Sequence, residues 1–178
     1  MKTLKELTEE LLSNYDDKVI ALAQHLDIDL EPDFDENDSY YIANREDYDT
    51  DEEYNEAQTE LDEEKEQAMN DAVQEIADEL DSIREVSYSD NTFEYGSEEY
   101  EVLTDSEADD RMEEELDNYI EECIYPEIKD EHLRNYFDEE AWKSDARMDG
   151  RGHIISRYDG CEYEEKVNDT WYYIFRQN

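Results

Sequence analysis

The sequence predicts an α+β protein in which acidic helices pack with small antiparallel sheets, in an elongated arrangement. Three observations carry that expectation. Apolar residues recur at helical spacing through residues 51–83, the pattern changes to period two just beyond, and an aromatic strand closes the chain. The chain has 178 residues, 58 acidic and 15 basic, for a formal net charge of −43. That length allows one or two domains with real cores. Leu, Ile, Val and Phe supply only 32 residues, a composition that at this charge borders on disorder. Against disorder stand 15 Tyr and 2 Trp, which restore apolar area at helix or strand spacing.

Residues 1–50 read as an N-terminal helical segment and an acidic loop. Thr3 and Glu6 make a capping box ahead of Leu4, Leu7, Leu11 and Leu12. Asp16 or Asp17 caps a second helix with Val19, Leu22, Ala23 and Leu26 on one face. Pro32 and a run of Asp and Asn follow, with Tyr40, Tyr41 and Ile42 as an apolar insert.

Residues 51–128 read as a long acidic helix, a β-meander and a second acidic helix. Tyr54, Ala57, Leu61, Ala68, Ala72, Ile76, Leu80 and Ile83 mark one face of the long helix. Fourteen acids between 51 and 83 face Lys65 alone, which gives up the support of alternating Glu–Lys pairs. Val86 and Tyr88, then Phe93 and Tyr95, flank Asp90 and Asn91. Tyr100 and Val102 follow a turn at Gly96 and Ser97, so a small antiparallel meander is expected. Thr104 with Glu107 is a second capping box, opening a helix that Pro126 ends.

Residues 129–178 read as a compact α+β module, with a net charge of −4 against −39 for the rest. A short helix is expected near 138–147, a turn at Gly150 and Gly152, and a strand at 153–156. Asp159 and Gly160 are a hairpin signal before a strand at 161–164, and residues 170–176 supply the last strand.

The charge constrains partners. Such a surface repels nucleic acid and anionic lipid and attracts basic proteins, so direct nucleic-acid binding and membrane association are not expected. No apolar run approaches the length of a membrane span and no secretory leader is evident; Cys123 and Cys161, far apart, suit a reducing cytoplasm. Calcium frames fail. Starting at Asp33, the sixth position is Asp38 instead of Gly and the twelfth is Asn44 instead of Glu. Starting at Asp47, those positions are Glu52 and Gln58. No metal and no cofactor is expected. Neither a nucleophile turn nor a phosphate-cradling glycine loop is present, and Cys161 near His153 reads as a partly buried structural cysteine, so no catalytic residue and no enzyme activity is expected. Most tyrosines read as core, with Tyr40, Tyr41, Tyr48 and Tyr54 available to stack on a partner's arginine.

Functionally, carboxylates at DNA-like charge density point to a mimic that occupies the basic cleft of a DNA-binding protein. The acids expected to carry binding are Asp51, Glu52, Glu53, Glu56, Glu60, Glu63, Glu64, Asp71, Glu75, Asp78 and Glu79 on the long helix. On the helix after Thr104 they are Asp109, Asp110, Glu113, Glu114, Asp117 and Glu121. An acidic chaperone that sequesters basic proteins, and an ordinary halophilic enzyme, are the competing classes; the uneven charge argues against the second.

Two runs carry a resemblance. The opening Val102-Leu-Thr-Asp-Ser-Glu-Ala-Asp-Asp110 resembles a pattern common in phage and mobile-element proteins. The run His132-Leu-Arg-Asn-Tyr-Phe-Asp-Glu-Glu-Ala-Trp-Lys-Ser-Asp145, with the ending Tyr172-Tyr-Ile-Phe-Arg176, is similar to the close of ArdA antirestriction proteins. It covers about a third of the chain, and residues 1–100 show no such likeness. The resemblance implies a phage- or plasmid-encoded DNA mimic, often dimeric, that acts in the bacterial host cytoplasm on type I restriction enzymes. Related anti-defence proteins act on CRISPR nucleases.

Overall fold

Capping chemistry and strand alternation set the elements of this chain. A computed structural model describes residues 2–35 and 37–178, the side chains of Ser39 and Glu131 excepted. Helices α1 (Leu4–Leu12), α2 (Asp17–His25) and α3 (Asp51–Leu80) come first, with 3-10 turns at Ser39–Tyr41 and Arg45–Asp47. Strands β1 (Arg84–Glu85), β2 (Thr92–Tyr95) and β3 (Glu98–Thr104) lead into α4 (Asp105–Tyr119) and a π turn at Ile120–Ile124. Then follow α5 (Tyr125–Glu127), α6 (Glu131–Arg134), α7 (Glu139–Arg147), α8 (Arg151–Ile155), β4 (Tyr163–Val167) and β5 (Thr170–Arg176). The fold is α+β. The chain forms two compact units, residues 2–16 with 27–82 and residues 17–26 with 83–178.

In the first unit, α1 packs on α3. The Thr3 hydroxyl accepts from the Glu6 amide at 3.3 Å, and the Glu6 carboxylate accepts from the Thr3 amide at 2.8 Å, closing the expected capping box. Thr50 and Glu53 make the same reciprocal pair at the start of α3, both bonds at 3.2 Å. Just beyond α1, Tyr15 donates its hydroxyl to Asp81 at 2.8 Å, past the end of α3. Burial and that carboxylate push the phenol up to about 12. The inward face of α3 is the one the periodicity marks: Ile76 and Leu80 are buried, and Tyr54, Ala57, Leu61, Ala68 and Ala72 are half-buried. Met69 and Ala77 are buried beside them.

In the second unit a five-stranded antiparallel sheet runs β1-β2-β3-β5-β4. Gly96, at φ +65°, makes the two-residue turn between Tyr95 and Glu98. Alternation along β3 splits its side chains between two covered faces. Leu103 and its neighbour Phe175 form a core with Ala108 of α4 and Ile155 of α8. Residues of opposite parity, Val102 and Ile174, are fully buried, and α2 covers that side, its His25 ring 5.9 Å from Tyr100. Burial on both faces explains why Tyr100, Glu101, Val102 and Leu103 are buried in succession.

Several expectations need correction. The strands of residues 129–178 do not make a separate module: β5 pairs with β3, and β4 and β5 complete the sheet that β1–β3 begin. Nor do the first two helices stay together, since α2 belongs with the sheet. A five-residue helix, α8, stands where a strand was expected at 153–156. Within it, Gly152 lies so close to residues 160–162 that an added Cβ would come to 2.8 Å from their backbone. The last hairpin turns at Asn168 and Asp169, both at positive φ (47° and 66°), as a two-residue primed turn requires; Asp159 and Gly160 precede β4 without closing a hairpin. Val86 and Tyr88 lie outside β1. Pro126 does not stop the helix before it. The chain widens into the π turn over the carbonyl that a proline ring would strike, and helical backbone continues to Glu127.

Candidate functional site

The thirty residues of α3 span about 45 Å at about 1.5 Å per residue. Thirteen of them are acidic and one is basic. The net density is about one charge per 3.8 Å, close to the ~3.4 Å per phosphate of a single DNA strand. Asp51, Glu52, Glu53, Glu56, Glu60, Glu63, Glu64, Asp71, Glu75, Asp78 and Glu79 are all exposed, as the sequence pattern expects. Glu52, Glu56 and Glu60 stand four residues apart and border one surface depression with Asn55 and Thr59.

Cations barely touch this surface. Arg45 reaches Asp51 at 2.6 Å and lies over the Tyr54 ring at 5.7 Å. Lys65, the single basic residue of the helix, is engaged. The helix nevertheless keeps its (i, i+4) support, and it does so with amides. Gln58 donates to Asp62 at 2.8 Å, Gln67 to Asp71 at 2.6 Å and Gln74 to Asp78 at 2.8 Å. A Gln–Asp bond at this spacing stabilises a helix as a Glu–Lys pair does, but leaves the carboxylate charged. Gln58 also ties down the preceding loop: its carbonyl accepts from the Ala43 amide at 3.0 Å and its NH2 donates to the Tyr41 carbonyl at 3.3 Å. These glutamines were legible in the sequence as Gln four residues before Asp, and a search for lysine passes over them.

The acids of the second helix are placed differently. Arg147 grips Glu113 with two bonds of 2.6 and 2.7 Å, and Lys143, itself buried, pairs with Asp117. Arg151 holds Asp105 at 2.9 Å and Asp109 at 3.2 Å, and Arg111 holds Glu114 at 3.0 Å and Glu115 at 2.5 Å. The bond from Arg147 keeps the Glu113 carboxyl below its ordinary value. Of the acids expected on this helix, Asp109, Glu113, Glu114 and Asp117 are therefore committed within the chain, while Asp110 and Glu121 are exposed and take no cation among the described residues. The pairs of Arg147, Lys143 and Arg151 span 26 or more residues and leave no periodic mark in the sequence, whereas those of Arg111 are three and four residues apart.

Of the tyrosines expected to await an arginine, Tyr54 meets Arg45 of its own chain. Tyr40 is 64% exposed and donates to Glu64 at 3.4 Å. Cys161 is exposed where a partly buried position was expected. Among the described residues, no group of three or more His, Cys, Asp or Glu is placed to hold a metal ion, and no helix is long and apolar enough to cross a membrane. Comparison with protein-family models, curated proteins and solved structures gives no match to this chain.

Proposed function

We infer that the chain inhibits a DNA-binding defence enzyme of a bacterial host, a restriction–modification enzyme or a CRISPR-type nuclease, by presenting α3 to its DNA cleft in place of a strand. One observation carries the reading: exposed carboxylates at phosphate-like density along one capped helix, three of them held by glutamines that leave their charge intact. A DNA cleft is lined with Lys and Arg spaced for phosphates. Carboxylates held at comparable intervals engage those cations and offer no phosphodiester to cut. Fixed carboxylates also lose less side-chain freedom on binding than mobile ones. The resemblance of residues 132–145 and 172–176 to ArdA proteins adds type I restriction enzymes as the first target to try.

The test is competition for a purified type I enzyme, read by anisotropy of a labelled duplex. The chain should displace the duplex, and less well as salt rises from about 50 to about 200 mM, because steered binding between opposite charges is screened. Changing Glu52, Glu56, Glu60, Glu63, Glu64 and Glu75 each to Gln keeps shape and helix propensity and should weaken displacement at least tenfold. Undiminished displacement by that variant, its helicity intact, would refute the reading. Broad binding to histone-like or ribosomal proteins without displacement of duplex would favour an acidic sequestering protein instead.

A further inference from the structure

A second feature lies wholly within the sheet-containing unit. The end of α4, the π turn, α7 and α8 border an open cavity of about 650 Å³, within the range that holds small ligands. Tyr119 and Trp142 line it as a stacked pair, ring centroids 5.5 Å apart and planes 7° from parallel. Tyr119 is 53% exposed, so the pair is open to a ligand instead of sealed in the core. Leu116 and Ile154 supply apolar wall.

The polar groups of the cavity divide in two. Glu115 is already committed to Arg111 at 2.5 Å and Arg157 at 3.5 Å. The side-chain carboxylates of Glu122 and Asp149 take no ion pair or hydrogen bond among the described residues, and the Trp142 indole N–H has no acceptor there either. His153 is exposed at the same cavity. Arg111, Lys143, Arg147 and Arg151 are each drawn to other carboxylates, and what sets Glu122 and Asp149 apart from the remaining unpaired acids is their place on one cavity with an aromatic stack.

We propose that this cavity binds a guanidinium group, laid against the Tyr119–Trp142 stack and hydrogen-bonded by Glu122 and Asp149. The chemistry selects that ligand. An anion meets unscreened carboxylates. A hard metal ion needs more oxygen ligands than two, and no such cluster is present among the described residues. A guanidinium is planar, weakly hydrated, stacks on aromatic faces and offers a fork of donors to carboxylates; an ammonium is strongly hydrated and does not stack. The group belongs either to an arginine side chain of a bound protein or to a free small molecule. The site does not depend on what α3 does.

The full chain carrying Trp171→Phe retains Trp142 as its one indole, whose N–H resonance reports on the cavity. Titration with N-acetylarginine amide should move that resonance saturably, with a Kd on the order of millimolar. N-acetyllysine amide should bind at least fivefold more weakly. Glu122→Gln with Asp149→Asn should weaken the arginine probe at least tenfold, as should Tyr119→Leu. Free arginine carries a carboxylate that the surrounding acids repel: weaker binding than the amide assigns the site to protein side chains, and equal binding assigns it to a small molecule. No saturation at ~100 mM, equal response to the lysine probe, or an unchanged Kd in the double variant each overturns the proposal.

Discussion

Arg151 shows what a cation is used for in this chain. Its guanidinium meets Asp105, Asp109 and Glu162 at 2.9, 3.2 and 3.0 Å and stacks on Tyr173 at 4.1 Å, joining α4, α8, the residue just before β4, and β5. Arg147 and Glu113 make a simpler, bidentate pair, and its pH dependence follows from the direction of the shift. Glu113 ionises more readily in the folded chain than at its ordinary value of 4.5, so its pair contributes stability above that value and loses it as pH falls through the lower, folded one. A Glu113→Gln variant should therefore be less stable than the parent at pH 7, with the gap closing as pH is lowered below 4.5. Denaturant unfolding at a series of pH values measures this; a gap that stays constant would mean the carboxylate is not what Arg147 holds.

At the scale of the element, α3 shows how a helix can be dense in like charge and still well formed. Three Gln–Asp bonds, a capping box and one apolar stripe replace the salt bridges an ordinary surface helix uses. Changing Gln67 and Gln74 together to Ala removes two of the bonds, at roughly 0.2–0.5 kcal/mol each, while raising intrinsic helix propensity by a few tenths each, and leaves Gln58 to hold the loop at Tyr41 and Ala43. The two terms nearly cancel, and the double variant should melt within a few degrees of the parent. Its Asp71 and Asp78 side chains should, however, show faster motion by carboxyl-carbon relaxation, and unchanged mobility would mean the glutamines fix nothing. Much of this element was legible beforehand: its apolar stripe, its first residue and the exposure of its acids follow from spacing alone. The first-turn capping boxes at Thr3 and Thr104, and the turn at Gly96, were legible for the same reason, that a short-range rule decides them. The helix at Arg151–Ile155 and the cations that reach α4 were not. A close backbone approach accompanies the first, and ion pairs 26 or more residues apart bring most of the second, and neither leaves a local pattern.

For the whole molecule, 58 acids against 15 bases leave most carboxylates to repel one another, even with most of the basic residues in internal pairs. Lowering the Debye length from about 30 Å at 0.01 M salt to about 8 Å at 0.15 M relieves that repulsion more than it weakens the short pairs. The melting temperature should rise over that interval, and a flat or falling profile would show that the pairs outweigh the repulsion. The uneven placement of basic residues also bears on how the molecule is cut. Between Arg45 and Arg84 the sole target for trypsin is Lys65, in the middle of α3 and partly covered. Cleavage there requires several turns to open, so the appearance of two tryptic halves of one acidic fragment clocks the fraying of a single helix, with no label attached.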